Sequence, residues 1–237
     1  DVRGVMSVDA AGGFAYVTRV PGLVVIDVSP PETPRQRGTV TTAIPFGDLQ
    51  AAGNRLYVAS AEGGLRIVDA SDPDHPRALG AHETLGPVKG TRIAGDHAFT
   101  LSGSRLRAID VTDPSFPRPI AGMSVAYAMV DAIDLAGHYL YVGAGADLEA
   151  FDVATPPNAP RVGTVTTPSS IGDVVIVDDR AYVADTETGL VVVDVADPAA
   201  LQILGSCATG AGAHAVAGTR DHVYVADGGF RGLTVMD

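Results

Sequence analysis

The amino-acid sequence predicts an all-β protein, a six-bladed β-propeller whose blades are four-stranded antiparallel sheets. Three observations predict this fold. One motif recurs six times along the 237 residues, each copy contains four strand-length segments, and several of those segments are apolar at every position. Together they predict that residues 1–237 form a single domain built from one repeated unit.

The repeat is defined by an apolar run that ends in aspartate, as in Leu190-Val-Val-Val-Asp194. The six aspartates that end this run are Asp27, Asp69, Asp110, Asp152, Asp194 and Asp237. Their successive numbers differ by 42, 41, 42, 42 and 43. Upstream in each copy, an aromatic residue marks a second apolar segment, as Tyr57 does in the second copy. A period of roughly 20 to 50 residues is typical of repeat architectures in which each copy is one supersecondary unit.

Within each copy the sequence predicts four short strands. In the second copy they cover Leu49 to Ala52, Arg55 to Ala59, Leu65 to Asp69 and Arg77 to Ala81. Their residues are rich in β-branched and aromatic types, and Gly, Asn, Asp and Pro separate them. This pattern favours antiparallel hairpins over helices.

The apolar strands also indicate how the sheets are arranged. A strand such as Leu190-Val-Val-Val is apolar on both faces, so both faces have to be covered. A ring of blades covers each face with a neighbouring sheet and leaves only short edges exposed. We therefore expect the blades to surround a central channel.

The segment after the third strand predicts a tight turn. In the second copy it contains Asp69, Asp72, Pro73 and Pro76. Asp accepts hydrogen bonds from backbone amides of a following turn, and Pro fixes φ where the chain reverses. We interpret these repeated aspartates as structural, because a single active site does not require six symmetry-related copies.

The pattern Gly-Leu-Val-Val-Val-Asp-Val-Ala-Asp-Pro at 189–198 resembles the LVIVD repeat, and the resemblance extends over essentially the whole chain. The resemblance implies a fold similar to other bacterial β-propellers. It also implies an extracellular, periplasmic or cell-surface location and no assigned reaction. The chain departs from the pattern at Thr155, which replaces the second Asp, and at Ala199-Ala200, where the second Pro is missing.

The last copy stops at the end of a third strand, at Asp237. We expect its fourth strand to lie in residues beyond this position, and the alternative is a last blade of three strands. Further repeats outside these residues would make the domain part of a seven- or eight-bladed propeller.

Composition limits the possible partners. The chain has 28 acidic and 16 basic residues, a formal net charge of -12, which disfavours binding to a phosphate backbone. No apolar run reaches the length of about 18 residues that a membrane span requires. Cys207 is the only cysteine, which excludes an internal disulfide and a multi-cysteine metal site. Cys207 ends the segment Ile203-Leu204-Gly205-Ser206-Cys207, so we interpret it as a small buried residue. The alternative is a reactive thiol, which the absence of an adjoining basic residue disfavours.

Chemistry in a propeller is expected where the innermost strands begin, because the loops of all blades meet there. The positions nine or ten residues before each aromatic are Met6, Ser7, Asp48, Lys89, Gly90, Asp131, Asp173 and His214. Asp48, Asp131, Asp173 and His214 form a candidate cation site, with oxygen ligands that suit Ca²⁺ or Mg²⁺ and an imidazole that favours a transition metal. In the alternative, Lys89 pairs with one aspartate and the channel is polar and solvated. The sequence indicates no other cofactor.

The connections between second and third strands add charged residues to the same face. They are Glu62, Asp147, Asp185, Glu187, Asp227 and Arg231. They predict an acidic face that either docks a cationic partner or is simply solvated.

The chain has no nucleophile elbow, no phosphate-binding loop and no twelve-residue calcium loop. Our first hypothesis is therefore a non-catalytic scaffold that binds a protein partner or assembly subunit, as an exported or cell-surface component. The second is a metal-dependent hydrolase or lactonase using the four candidate ligands. A third is an architectural subunit of a filament or membrane complex.

Overall fold

A computed structural model describes residues 4–42, 46–60, 64–84, 86–102, 105–124, 130–156, 158–210, 212–228 and 232–237, without the side chains of residues 121–124 and 131. Every regular element in these ranges is a β-strand. None of them contains a helix with the length and apolar composition needed to cross a membrane. The chain divides into two compact units, Asp1–Gly122 and Met123–Asp237.

The first unit contains three antiparallel blades, each a meander in chain order. Blade 1 consists of β1 (Val5–Ala11), β2 (Phe14–Arg19), β3 (Gly22–Asp27) and β4 (Arg35–Thr41). Blade 2 consists of β5 (Phe46–Ala52), β6 (Arg55–Ser60), β7 (Leu65–Asp69) and β8 (Arg77–His82). Blade 3 consists of β9 (Gly90–Ala94), β10 (His97–Ser102), β11 (Arg105–Asp110) and β12 (Arg118–Ser124), whose last two residues fall in the second unit.

The second unit contains the other three blades with the same meander order. Blade 4 consists of β13 (Val130–Ala136), β14 (Tyr139–Ala144), β15 (Asp147–Asp152) and β16 (Arg161–Thr166). Blade 5 consists of β17 (Ile171–Val177), β18 (Arg180–Asp185), β19 (Gly189–Asp194) and β20 (Gln202–Cys207). Blade 6 consists of β21 (Ala213–Gly218), β22 (Val223–Asp227) and β23 (Gly232–Met236).

These six antiparallel blades confirm the predicted all-β propeller class, with four, four, four, four, four and three strands in the described residues. The four strands predicted in the second copy correspond to β5 to β8, each within three residues of its predicted ends. The first five third strands end at the repeat aspartates, and the last ends at Met236, one residue before Asp237.

The third strands of blades 2 and 5 are covered on both faces by clusters within their own unit. In blade 5, Val191 and Val193 pack in a cluster with Tyr141 and Leu148 of blade 4. Leu190, on the opposite face of the same strand, packs with blade 6. Burying one such side chain contributes about 1.5 to 3 kcal/mol. In the first unit, equivalent clusters join blade 1 to blade 2 and blade 2 to blade 3.

Tight turns between the first and second strands of blades 1 to 5 set the hairpin register. The first turn residue in four blades is Gly12, Gly53, Gly95 or Gly137, each with φ between 55° and 62°. Blade 5 has Asp178 there, with φ 52°. A positive φ at this position matches the right-handed twist of the strands, and glycine adopts it without steric cost.

Candidate functional site

The predicted channel residues lie at a bulge in the first strand of each blade. In blades 4, 5 and 6 the register shifts directly after a buried residue, namely Val130, Ile171 or Ala213. Asp131 and His214 are the next residues, whereas Asp173 is two residues on. Asp48 likewise lies two residues after Phe46, within the bulge of blade 2. The four predicted ligands therefore occupy two successive backbone positions and not one equivalent position.

Asp48 connects all three blades of the first unit. Its Oδ1 accepts a hydrogen bond from Ser7 Oγ of blade 1 at 3.1 Å. Its Oδ2 accepts from Thr91 N at 3.1 Å and from Arg92 Nη1 at 3.0 Å, both in blade 3. Hydrogen bonds that involve a charged group contribute about 1.5 to 3 kcal/mol, so Asp48 stabilises the contacts of blade 2 with blades 1 and 3.

In the second unit, Asp173 joins blade 5 to blade 6. Its Oδ1 accepts the amide hydrogen of Val174 at 2.9 Å, and its Oδ2 accepts that of Val216 in blade 6 at 3.0 Å. The side chain of His214 is exposed and its ring lies against Gly228, where an added Cβ would be 2.3 Å from Nε2. Asp173 is therefore directed to the backbone of blade 6, while the imidazole covers a turn of the same blade.

Across the described residues, no three His, Cys, Asp or Glu side chains are grouped closely enough to hold a metal ion. The side chain of Asp131 lies outside the description, and Asp48 belongs to the other compact unit. The cation site formed by all four predicted ligands, with Ca²⁺ or another divalent ion, stays a prediction.

A second row of side chains holds neighbouring blades together, and the sequence analysis missed it. The bonds run from Ala51 N to Asp9 Oδ2 at 2.8 Å, from Ile93 N to Gln50 Oε1 at 2.6 Å and from Ile176 N to Asp134 Oδ2 at 2.7 Å. The first strand is an edge of its sheet, so amides on its outer side need acceptors from elsewhere. The signal was present in the sequence, because Asp9, Gln50 and Asp134 each stand seven residues before the aromatic of their repeat.

The predicted acidic face is only partly present. Asp185 is 0% exposed, because its carboxylate accepts the amide hydrogens of Ser169, Glu187 and Thr188. Asp227 is also buried. The expectation that these two carboxylates face solvent is wrong. In the case of Asp185, nearby backbone amides point inward and donate hydrogen bonds to the carboxylate. Asp147 accepts a hydrogen bond from Thr166 Oγ1, and Glu62 and Arg231 lie outside the described residues.

The aspartates that end the third strands are structural, as predicted. The Oδ1 atoms of Asp27, Asp69, Asp110, Asp152 and Asp194 each accept the amide hydrogen of the residue two positions on, at 2.9 to 3.0 Å. Hydrogen bonds from Ser71, and the nearby Arg77, hold the pKa of Asp69 below its ordinary value. Bonds from Thr112 lower the pKa of Asp110 in the same way. These turns therefore contain carboxylates stabilised in their charged form.

Three of these turns, those after Asp69, Asp110 and Asp194, dock on a glycine of the preceding blade. Gly38, Gly80 and Gly163 lie in the fourth strands of blades 1, 2 and 4, at or directly after a bulge. A Cβ on these glycines would lie 2.6, 2.3 and 2.1 Å from the carbonyl oxygens of Pro73, Pro114 and Pro198, respectively. We call each such contact between a fourth-strand glycine and the next blade's turn a closed junction. Only glycine allows the two backbones to approach this closely.

Gly205 of blade 5 is in the same local structure without the same contact. A bulge precedes it, yet no atom of the described residues lies within 4 Å of an added Cβ. Beside it is a groove of about 560 Å³, lined by Tyr182, Val192, Leu204, Gly205, His222 and Met236 among others. We call this region, between β20 and blade 6, the open junction. Every residue of β20 is exposed, including Cys207, so the prediction that Cys207 is buried is wrong.

The burial of Cys207 was predicted from its apolar neighbours, and those neighbours are exposed too. Leu204 is 55% exposed and lines the groove. On β23, Leu233 is 62% exposed, whereas Leu190 at the same position of blade 5 is buried. In the described residues, β23 is thus an edge strand of blade 6 with apolar side chains exposed to solvent.

Comparison with a family model identifies the repeat. The LVIVD repeat model matches residues 3–42, 47–84 and 170–209. These ranges cover blades 1, 2 and 5, including the Asp-containing turns and the fourth strands. No curated protein matches the sequence.

Solved structures match the fold along nearly the whole chain. A protein of unknown function from Desulfotomaculum acetoxidans DSM 771 has 13% identity and a TM-score of 0.87, over 99% of this chain and 83% of its own. A chain of the mitotic checkpoint complex has 18% identity and a TM-score of 0.81, over 98% and 73%. The β-propeller domain of Cps50 (Swd1) from Myceliophteria thermophila has 12% identity and a TM-score of 0.79, over 98% and 82%. At these identities the matches establish the fold alone.

Proposed function

This chain is a β-propeller with LVIVD repeats in blades 1, 2 and 5, and from that premise we propose that it is a non-catalytic scaffold that binds protein partners in a larger assembly. The observation that carries the proposal is the hydrogen bonding of Asp48 and Asp173 to the backbone of neighbouring blades. Both carboxylates accept backbone amide hydrogens from a following blade, so they fix the geometry of the repeat. A scaffold needs this rigidity and no convergent reactive groups.

The surface supports protein contact. Large apolar side chains are exposed on the first strand of blade 1, at Met6 and Val8, and on the outer strands of blades 5 and 6, at Leu204, Leu233 and Val235. Exposed apolar groups on strand edges are typical of surfaces that other chains cover. One of the matched structures is named for a protein assembly, the mitotic checkpoint complex, which agrees with this role.

An activity screen tests the non-catalytic half of the proposal. The purified chain is assayed against a panel of esters and lactones with added Ca²⁺, Mn²⁺ or Zn²⁺. We expect rates equal to those of the buffer with each ion. Hydrolysis that disappears in both Asp173→Ala and His214→Ala, with folding intact by circular dichroism, would contradict the proposal and favour the metal-dependent hydrolase or lactonase.

A binding comparison tests the other half. Proteins captured from the source organism are identified and then used as bait in the reverse direction. The double variant Leu204→Ser, Leu233→Ser is expected to lose at least one reciprocal partner. Phe116→Ser, which changes an equally exposed side chain in a turn of blade 3, is the matched control. Equal capture by both variants would count against the edge strands as the contact surface.

We further propose an exported or cell-surface location, supported by the resemblance to LVIVD-repeat proteins. The exposed thiol of Cys207 gives a direct test. A membrane-impermeant maleimide added to intact cells that produce the protein should label it, and Cys207→Ser should remain unlabelled. Labelling only after lysis would place the protein inside the cell.

A further inference from the structure

Blade 3 carries a row of polar side chains on the face that packs against blade 2. Thr91 of β9 is paired with Thr100 of β10, and Thr100 is paired with Arg107 of β11. Residues paired directly in neighbouring strands have their side chains on the same face of the sheet. Ala98 and Ile109, on the same face two residues away, pack in one cluster with apolar residues of blade 2. We call Thr91, Thr100 and Arg107 the polar row.

The polar row is specific to blade 3. In blade 5 the equivalent residues are Val174, Val183 and Val191, which are paired in the same order and pack in the apolar cluster between blades 4 and 5. In the other five repeats the positions of both threonines are apolar. The residues at the position of Thr91 are Val8, Leu49, Ile133, Val174 and Val216, and those at the position of Thr100 are Val17, Val58, Val142, Val183 and Val225. Blade 3 therefore replaces an apolar row with groups that donate hydrogen bonds.

The hydrogen-bonding groups of the polar row are buried without partners. Both threonines are 0% exposed, and their Oγ1 atoms have no hydrogen-bond partner among the described residues. Arg107 is partly buried, and its Nε is a buried atom that no group in the described ranges accepts from. A buried polar atom without a partner destabilises a fold, and valine would avoid that loss at nearly the same volume. Three such atoms in one row therefore indicate a bound group.

Charge at the polar row favours an anion over an uncharged ligand. His82 is paired with Leu65, which packs in the cluster between blades 2 and 3, so the imidazole lies on the face of blade 2 that is turned to the polar row. Burial, and then the positive charge of Arg107, lower the pKa of His82, while the exposed Glu83 acts in the opposite direction. Arg107 is therefore close enough to blade 2 to disfavour a second positive charge there. A negative charge between the two blades would be stabilised by the guanidinium.

We propose that the polar row binds one small anion, of about the size of chloride, which joins blade 3 to blade 2. The two threonine hydroxyls and the Nε–H of Arg107 are all able to donate, and hydrogen bonds to a charged acceptor are stronger than those between neutral groups. The anion has to be small, because the equivalent row of blade 5 is filled by valines packed against blade 4. This site is independent of the proposed scaffold function.

Thermal unfolding in two sodium salts at equal ionic strength tests the proposal. Chloride is the probe, and gluconate, a much larger anion, is the reference. A ligand that binds only the folded state raises the unfolding midpoint, so in about 0.2 M chloride we expect a midpoint about 3 °C above that in gluconate.

Three variants connect this rise in the midpoint to the polar row. Thr100→Val restores the residue of the other five repeats, so it should fold and should lose the rise. Arg107→Gln should lose it as well. Thr167→Val is the matched control, because Thr167 is also buried but its hydroxyl bonds the carbonyl oxygens of Ala146 and Ser169. This control should be less stable in both salts and keep the full rise. Comparison between variants cancels the general effects of the two salts.

A proton NMR titration of His82 gives a second measurement that is local to the site. An anion beside Arg107 offsets the positive charge that lowers the pKa of His82, so that pKa should be higher in chloride than in gluconate. The difference should vanish in Thr100→Val. His82→Gln identifies the resonance.

Equal midpoints of the unmodified chain in the two salts would overturn the proposal. A rise that Thr100→Val retains would also overturn it, because the anion would then bind elsewhere on the chain. The same conclusion would follow from a pKa of His82 that does not differ between chloride and gluconate. None of these results affects the scaffold proposal, which is tested by hydrolysis and by partner capture.

Discussion

The junction between blades 4 and 5 and the junction between blades 5 and 6 both have a bulge followed by a glycine in the fourth strand. They differ in whether a turn of the next blade packs against that glycine. Val162 and Leu204 occupy equivalent bulges, directly before Gly163 and Gly205. At the closed junction the Pro198 carbonyl oxygen is 2.1 Å from an added Cβ, and at the open junction nothing is within 4 Å. The glycine is thus explained by the neighbouring turn at one site only. At the other site the same bulge and glycine are present, but no turn among the described residues packs against them.

The largest difference between the two junctions is expected for Gly163→Ala compared with Gly205→Ala. At position 163 the methyl group collides with backbone, so the turn of blade 5 has to move away from blade 4. Overpacking of this kind costs about 1 to 3 kcal/mol, and we expect the upper end because the obstacle is not a flexible side chain. Urea unfolding followed by circular dichroism measures the change in the free energy of unfolding.

The matched substitution Gly205→Ala should change stability by less than about 0.5 kcal/mol, or stabilise slightly by restricting the unfolded chain. A loss at position 205 as large as that at 163 would contradict the comparison. It would mean that the open junction is occupied in solution.

The second largest difference is expected at the aspartates that precede the two turns. Asp194 Oδ1 accepts the amide hydrogen of Ala196 at 3.0 Å and shapes the turn that docks on Gly163. Asp194→Ala should cost about 1 kcal/mol of unfolding free energy. Among the described residues, Asp237, at the equivalent position, has an exposed contact with His222 at 3.5 Å, so Asp237→Ala should cost less than about 0.5 kcal/mol. Equal costs would show that Asp237 already has a turn to stabilise.

The fold was predictable because the same pattern of strand-length apolar segments recurs six times in the sequence. In strand β19, Leu190 and Val193 face opposite sides, so both faces of the strand need cover. In an all-β chain, neighbouring sheets provide it, and here blade 4 and blade 6 pack on the two faces. The aspartate turns were predictable for a local reason, since an aspartate accepts amide hydrogens from residues next to it in sequence. The ends of the strands in the second copy followed from Gly, Asn and Asp in the turns.

The candidate site was less predictable, because its chemistry depends on register. Counting back from the aromatic gives ten residues for Asp131 and nine for Asp173, but it could not show that a bulge leaves Asp131 out of the strand pairing while Asp173 pairs with Ala184. Nor could it show that Asp48 and Asp173 accept amide hydrogens of another blade about 43 residues away. Cys207 was misjudged for a related reason. Burial of an outer strand depends on the blade that follows it, which local apolarity does not report.

The reaction rate of a thiol should measure how differently the outer strands β16 and β20 are covered. Cys207 of β20 pairs with Leu190, and Val165 of β16 pairs with Leu148 at the equivalent position of blade 4. Val165 packs against the cluster between blades 4 and 5, whereas Cys207 is exposed. We expect Cys207 to react with a disulfide reagent about tenfold faster than a cysteine introduced by Val165→Cys in a Cys207→Ser background. Equal rates would imply that the two outer strands are equally covered.

The smallest expected difference is the response of the closed junctions to acid. Hydrogen bonds from Thr112 lower the pKa of Asp110, whose turn docks on Gly80. Because the folded chain favours the carboxylate, the contribution of Asp110 is present above its ordinary pKa of about 4 and is lost as pH falls through the lowered value. The stability difference between the unmodified chain and Asp110→Asn should therefore shrink when urea midpoints are compared at about pH 7 and about pH 3. Asp221→Asn, which removes an exposed carboxylate outside these turns, is the control. A difference for Asp110→Asn that stays constant with pH would mean that the turn does not depend on the charge, and that the closed junctions are maintained by glycine and proline geometry alone.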